Sequence, residues 1–141
     1  MNNEFIESLI EQNPDAIIFA DIKGTIQVWN MAAEHIFGFS KEEAVGASLD
    51  IIIPENLRKT HWRGFKQAIQ IGRTKYAGKF LPTKSLHADG SVIYVDLGFS
   101  IVLDFANNVI GALSSVRDIT TKYKENRAIR KRLSELENIQ K

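Results

Sequence analysis

A chain of 141 residues with 44% hydrophobic and 25% charged side chains can bury one ordinary hydrophobic core and carry a short appendage. Its 18 Lys and Arg are balanced by 17 Asp and Glu, so no net field recruits nucleic acid or an anionic membrane, and neither is expected as a partner. The absence of cysteine excludes disulfides, thiolate metal sites, iron–sulfur clusters, thiol nucleophiles and cysteinyl photochemistry.

No apolar run reaches membrane-spanning length, and the start Met1-Asn2-Asn3-Glu4-Phe5 lacks the basic residues and cleavage site of a secretory signal. A cytoplasmic location is therefore expected. Phe5, Ile6, Leu9 and Ile10 recur at helical spacing ahead of Pro14, which predicts an amphipathic flanking helix within residues 1–13. DAIIFA (15–20) reads as a buried strand, Asp21-Ile22-Lys23-Gly24 as a tight turn and TIQVW (25–29) as the returning strand.

Asn30 can cap the helix MAAEHIF and Gly38 can end it. Ser40 with Glu43 forms a capping box that opens SKEEAV before Gly46. After Ile51-Ile52-Ile53 and Pro54, residues 55–71 keep Leu57, Phe65, Ala68 and Ile69 at helical spacing until Gly72 stops the run.

Residues 76–86 read as a strand whose Pro82 calls for an edge or bulged position. Ala88-Asp89-Gly90 is a turn, and residues 92–103 alternate, with Ile93, Val95, Leu97, Phe99 and Ile101 on one face. Ala106-Asn107-Asn108 turns the chain into a last strand, 109–116. Five antiparallel strands with short helices over one face make an α+β domain.

Beyond Ile119 the chain is highly charged and free of Gly and Pro, predicting a helix over 120–141. Ile119, Asn126, Leu133 and Gln140 fall at heptad position a, with Lys122, Ile129 and Leu136 at d. This mixed seam with a polar a residue suits a parallel homodimer. The other reading is a solvated helix packed on its own sheet. Asp118 and Thr120 can cap a helix that starts directly after a strand, so Asp118, Ile119 and Thr120 form a stiff joint, the candidate signalling junction, or serve as caps alone.

His61 lies one helical turn from both Leu57 and Phe65, which points its imidazole toward the apolar interior. An imidazole there is either a hydrogen-bonded core residue or a ligand. Neutral imidazole is a good axial ligand for haem iron, and Val95, Leu97, Phe99 and Ile101 supply the apolar wall that a macrocycle needs. Lys59, Arg63, Lys66 and Arg73 are candidate partners for propionates or another carboxylate, or simply a solvated helix face. Trp29, Asn30 and Trp62 make a weaker case for flavin, and His35 and His87 read as surface residues. With no Gly-rich phosphate loop, serine elbow or flanking carboxylate pair, the chain is read as a non-enzyme.

The order of these pieces resembles the PAS (sensory box) family. The strings are NPDAIIFAD, G-x-I-x-x-W-N-x-A-A-E-x-I-F-G-F-S-x-E-E-A-V-G, IIPE, H-A-D-G-S and V-I-G-A-L-S-S-V-R-D-I-T, and with the helix that follows they cover nearly the whole chain. The resemblance implies a sensory domain over residues 14–119, with a five-stranded antiparallel sheet whose inner face encloses a small-molecule pocket. It further implies that the helix over 120–141 passes a signal to an output domain of a longer bacterial protein: a histidine kinase, cyclase or chemotaxis module.

Residues 54–61, P-E-N-L-R-K-T-H, are similar to the string before the proximal histidine of the haem-PAS oxygen sensors. This implies haem b as the candidate cofactor, with His61 on the iron and Leu57, Phe65, Ile69, Leu81, Val95, Leu97 and Phe99 around it. The chain departs from those sensors on the distal side, where their oxygen-steadying arginine falls at Leu81 and their alternative methionine at Lys79. Nitric oxide, carbon monoxide or iron redox state is thereby favoured over stable oxygen binding. The alternatives are an unknown organic ligand, or a cofactor-free dimerisation and protein-interaction module.

Overall fold

A computed structural model describes residues 2–75 and 77–139. The helices are α1 (Asn3–Glu11), α2 (Met31–Phe37), α3 (Lys41–Ala44), α4 (Arg58–Ile71) and α5 (Thr120–Ile139), with short 3-10 turns at Leu49–Ile52 and Glu55–Leu57. The strands are β1 (Ala16–Asp21), β2 (Ile26–Trp29), β3 (Phe80–Leu86), β4 (Val92–Leu103) and β5 (Val109–Asp118). They form one antiparallel sheet in the order β2-β1-β5-β4-β3, so the last strand lies at its centre and Pro82 sits on an edge, where its missing N–H costs nothing.

Register makes the two faces of the sheet distinct. Ile18 lies opposite both Trp29 and Ser114, Val116 opposite both Ala16 and Leu97, and Phe99 opposite Ser114, so these side chains share the inner face. Ala16, Ile18, Trp29, Val95 and Val116 are almost fully buried there, and α2, α3 and α4 close the layer with Ala33, Phe37, Ala44 and Phe65. Burying this apolar surface is what stabilises the domain. Trp29 is the largest side chain of the core, with its ring centroid 5.5 Å from that of Phe37 and its Nε1 donating to the Phe39 carbonyl at 3.0 Å.

Asn30 is the polar centre of this core. Only 1% exposed, it caps α2 by accepting from Ala33 N, accepts from Ile17 N, and donates from Nδ2 to the carbonyls of Ile10 and Asp15. One side chain thus fastens the end of α1, the start of β1 and the start of α2 to one another.

Several boundaries differ from the sequence reading, each for a local reason. The strand expected from residue 76 begins at Phe80, because Gly78 has φ 76° and belongs to a turn; Tyr76 itself lies outside the described residues, as does the heptad position Gln140. Thr25 lies outside β2, bridging to Ser48 while its carbonyl accepts from Asp21 N, and Asp21 draws the turn closed by accepting from Lys23 N and Thr25 N. The capping box of Ser40 and Glu43 is present, but α3 stops at Ala44, where Val45 turns extended and Gly46 N donates to the Ile26 carbonyl. Residues 55–57 are a 3-10 turn closed by Leu57 N on the Pro54 carbonyl, and the last strand runs on to Asp118, which pairs with Val95.

Asn30→Ala removes four side-chain bonds to the backbone, two to carbonyls and two from amides, with Asn13 N left as a donor to the Ile10 carbonyl. A loss of about 2–3 kcal/mol is expected from urea unfolding, with a native sheet retained in far-UV circular dichroism.

Candidate functional site

Helix α4 lies across the inner face of the sheet and carries the candidate site. Its buried residues are Phe65 and Ala68, and the Phe65 ring meets that of Phe99 on β4 at 6.4 Å. His61, one turn earlier, sits edge-on to Trp62 at 4.7 Å and 5.9 Å from Phe65. Its Nδ1 is buried and has no hydrogen-bond partner among the described residues. The core-histidine alternative, with a carbonyl holding the ring, is therefore not the arrangement found at this nitrogen.

Burial holds the His61 pKa below its ordinary value of 6.5, against a weaker upward pull from the Asp50 carboxylate. At neutral pH the imidazole is uncharged, the form in which it can donate a lone pair to a metal.

A clasp fixes the N-terminal half of α4. Trp62 donates from Nε1 to Asp50 Oδ1 at 2.7 Å, and Arg58 donates to the carbonyls of Ile53 at 3.1 Å and Asp50 at 3.3 Å. From the sheet, Ser85 Oγ donates to the Ile52 carbonyl at 2.6 Å. The Trp62 indole lies over Gly24, in the space that a Cβ would fill, and Gly24 has φ 84° besides. The β1–β2 turn, the 49–53 segment and α4 are thus locked together around His61. Neither Asp50 nor Gly24 carries a sequence signal for this role, because the three segments meet only in the fold.

Val95, Leu97, Phe99 and Ile69 of the expected lining fall in the core cluster that contains Phe65, whose ring lies 5.9 Å from that of His61. Val95 is buried on the inner face, Leu97 and Phe99 are half-buried beside it, and Ile69 packs against the same cluster from α4. Leu57 is half-buried at the N-terminal boundary of α4. Leu81 lies opposite Leu97 and so shares the inner face, but on an edge strand with 38% of its surface exposed. Lys59, Arg63, Lys66, Arg73 and Lys79 are exposed. Trp29 and Asn30, weighed for a flavin pocket, are occupied by the core contacts already described. His35 is exposed as expected, whereas His87 is half-buried against Gly38, with Nδ1 accepting from Asp89 N. No group of three or more His, Cys, Asp or Glu side chains able to hold a metal ion occurs among the described residues.

The junction is built from polar caps. Asp118 Oδ1 accepts from Thr120 N at 2.9 Å and from Thr120 Oγ1 at 2.6 Å, while Thr120 Oγ1 accepts from Tyr94 N at 3.0 Å. Ile119 N donates to the Tyr94 carbonyl at 2.8 Å, so the sheet ladder continues past β5 into the first residues before the helix.

The PAS fold family matches residues 4–119 of the chain. Among curated relatives, the sensor protein FixL of Bradyrhizobium diazoefficiens is 41% identical over 56 residues, 40% of this chain and 11% of its own length. The oxygen sensor protein DosP of Escherichia coli is 26% identical over 113 residues, 80% of this chain and 14% of its own length. This chain therefore spans only a small part of each. Among solved structures, a PAS domain from Colwellia psychrerythraea has a TM-score of 0.72 at 24% identity, covering 84% of this chain and 97% of that one.

His61→Phe removes a buried nitrogen without a partner and keeps a flat apolar ring. It is expected to hold or raise stability at pH 7 by about 1 kcal/mol, where a hydrogen-bonded structural histidine would lose stability. The sign with pH follows from the lowered pKa: the unfolded chain binds the proton more readily, so wild-type stability is complete above 6.5 and falls as pH drops below it. Denaturation of both proteins between pH 5 and 8, about one unit or more on either side of an ordinary imidazole pKa, should show the gap widening on the acid side.

Proposed function

This chain belongs to the PAS family, and from that premise we propose that it is the sensory module of a longer signalling protein, with haem b on His61 as its detector. The observation that carries this reading is a neutral, half-buried imidazole whose buried Nδ1 has no partner among the described residues, carried on α4 beside an apolar sheet wall. A buried polar atom without a partner costs stability and is kept where it serves another purpose. The donor set fits haem: one nitrogen ligand, with Val95, Leu97, Phe99, Phe65 and Ile69 for the macrocycle. Leu57 and Leu81 complete the lining at its margins, and the exposed Lys59, Arg63, Lys66 and Arg73 are available to propionates.

Haem supplies an iron that takes a diatomic gas or changes oxidation state. The chain's own residues decide which signal is read. Leu81 offers no hydrogen-bond donor on the inner face, which supports nitric oxide, carbon monoxide or redox state as the input in preference to oxygen. In this reading residues 14–119 form the sensor and residues 1–13 and 120–141 its flanking helices. Asp118, Ile119 and Thr120 join the sensor to the output. No residue of α5 is buried, and Ile129, Leu133 and Leu136 are 58%, 55% and 46% exposed, which supports a parallel homodimer leading to a histidine kinase, cyclase or chemotaxis module. No helix among the described residues is long and apolar enough to cross a membrane.

One observation favours a second reading. Phe65 meets Phe99 directly, so α4 must lift or these rings must swing before a macrocycle can enter. A closed interior suits a cofactor-free dimerisation module. The visible spectrum of the purified protein titrated with haem, oxidised and dithionite-reduced, separates the two. A Soret band that saturates at about one haem per chain and is lost in His61→Ala is the expected result. A spectrum unchanged by added haem would return the domain to the second reading.

A further inference from the structure

We infer that the end of the sheet carrying the β1–β2 and β4–β5 turns docks on an anionic lipid bilayer, with Phe105 inserted among the acyl chains. Asp21 pairs with Gly111 and Leu103 with Val109, so both turns lie at one end. Helix α4 borders that end at two points, where Trp62 covers Gly24 and Gly72 abuts Val109. Five large apolar side chains are left to solvent there: Phe105 is fully exposed, and Ile22, Ile71, Leu103 and Ile110 are exposed with it. Helices α1 and α5 join the sheet at its opposite end, where Ala16 pairs with Val116, and leave this patch uncovered. An exposed apolar patch marks contact with a partner.

The β4–β5 turn holds Phe105 out rigidly. Asp104 Oδ1 accepts from Ala106 N and Asn108 N, both at 2.9 Å, and Asp104 N donates to the Asn108 carbonyl at 2.9 Å. The turn is thus closed without the Phe105 ring, and a ring presented in a fixed place loses less entropy on insertion.

Charge selects the partner. Near-neutrality of the whole chain conceals a strong polarity: residues 1–55 hold ten Asp and Glu against two Lys and Arg, whereas residues 56–88 hold eight Lys and Arg and no Asp or Glu. Lys23 and Arg73 flank the apolar end, and the exposed Lys59, Arg63 and Lys66 follow one stripe of α4 beside it. The acidic neighbours Asp21 and Asp104 turn their carboxylates onto N–H groups of their own turns. Apolar tips within a basic rim match anionic headgroups above acyl chains. Ile22, Ile71, Leu103 and Ile110 offer nothing on which a base can stack, which favours lipid over nucleic acid.

Sedimentation with vesicles tests this without reference to haem. The wild-type chain is expected to pellet with vesicles of phosphatidylglycerol and phosphatidylcholine in equal parts, not with phosphatidylcholine alone, and less as salt rises. Phe105→Ser is expected to keep the wild-type circular dichroism, since that ring is fully exposed, and to bind the mixed vesicles about tenfold more weakly. Failure of the wild type to pellet with the mixed vesicles at low salt would overturn the proposal, as would full binding by Phe105→Ser. Retention of single-stranded RNA by a chain that ignores both vesicles would assign this end to nucleic acid and overturn it as well.

Discussion

Strand β4 is used on both of its faces, and the architecture depends on that. Its inward residues Ile93, Val95, Leu97 and Phe99 form the wall against which α4 packs, and its outward Tyr94 holds the start of α5. A side-chain period of two places these functions on alternate residues of one backbone. On the proposed function, a repacking of α4 against this wall is carried through β4 to the mount of α5. The central β5 is hydrogen-bonded to both β1 and β4 and ties the rest of the sheet together.

On the proposed function, the site above that wall trades stability for chemistry. A phenyl ring at residue 61 would satisfy the core better than an imidazole with an unpartnered nitrogen, and the clasp of Trp62, Asp50, Arg58 and Gly24 commits three segments to holding that imidazole in place. On the proposed function, that rigid support is what presents the imidazole as a ligand. Membership of the PAS family and likeness to FixL and DosP place the domain among signalling sensors.

Much of this was legible in the sequence, for identifiable reasons. The alternation over 92–103 fixed β4 to the residue, and Asn30, Gly38 and Ser40 announced their helix caps, because these signals are local. His61 stood out through its spacing from Leu57 and Phe65. What could not be read depends on segments distant in the chain. Asp50 meets Trp62 only when the 49–53 segment folds onto α4, and Tyr94 meets Tyr123 only after β5 returns beside β4. The start of β3 differs from the sequence expectation because a strand pattern carries no signal for the turn at Gly78, and the half-burial of His87 is hidden from the sequence because its packing on Gly38 is likewise non-local.

The measurement that bears most directly on the account is the position of α5 with and without haem. The chain has no cysteine, so Ser100→Cys on the outer face of β4 and Ser134→Cys on α5 can be spin-labelled uniquely, diluted with unlabelled chain, and their separation read by pulsed electron resonance. The expected result is a distance distribution that shifts when haem is loaded, and does not shift in His61→Ala. An identical distribution in the haem-loaded and haem-free protein would contradict the claim that the inner wall and the output helix are coupled through β4.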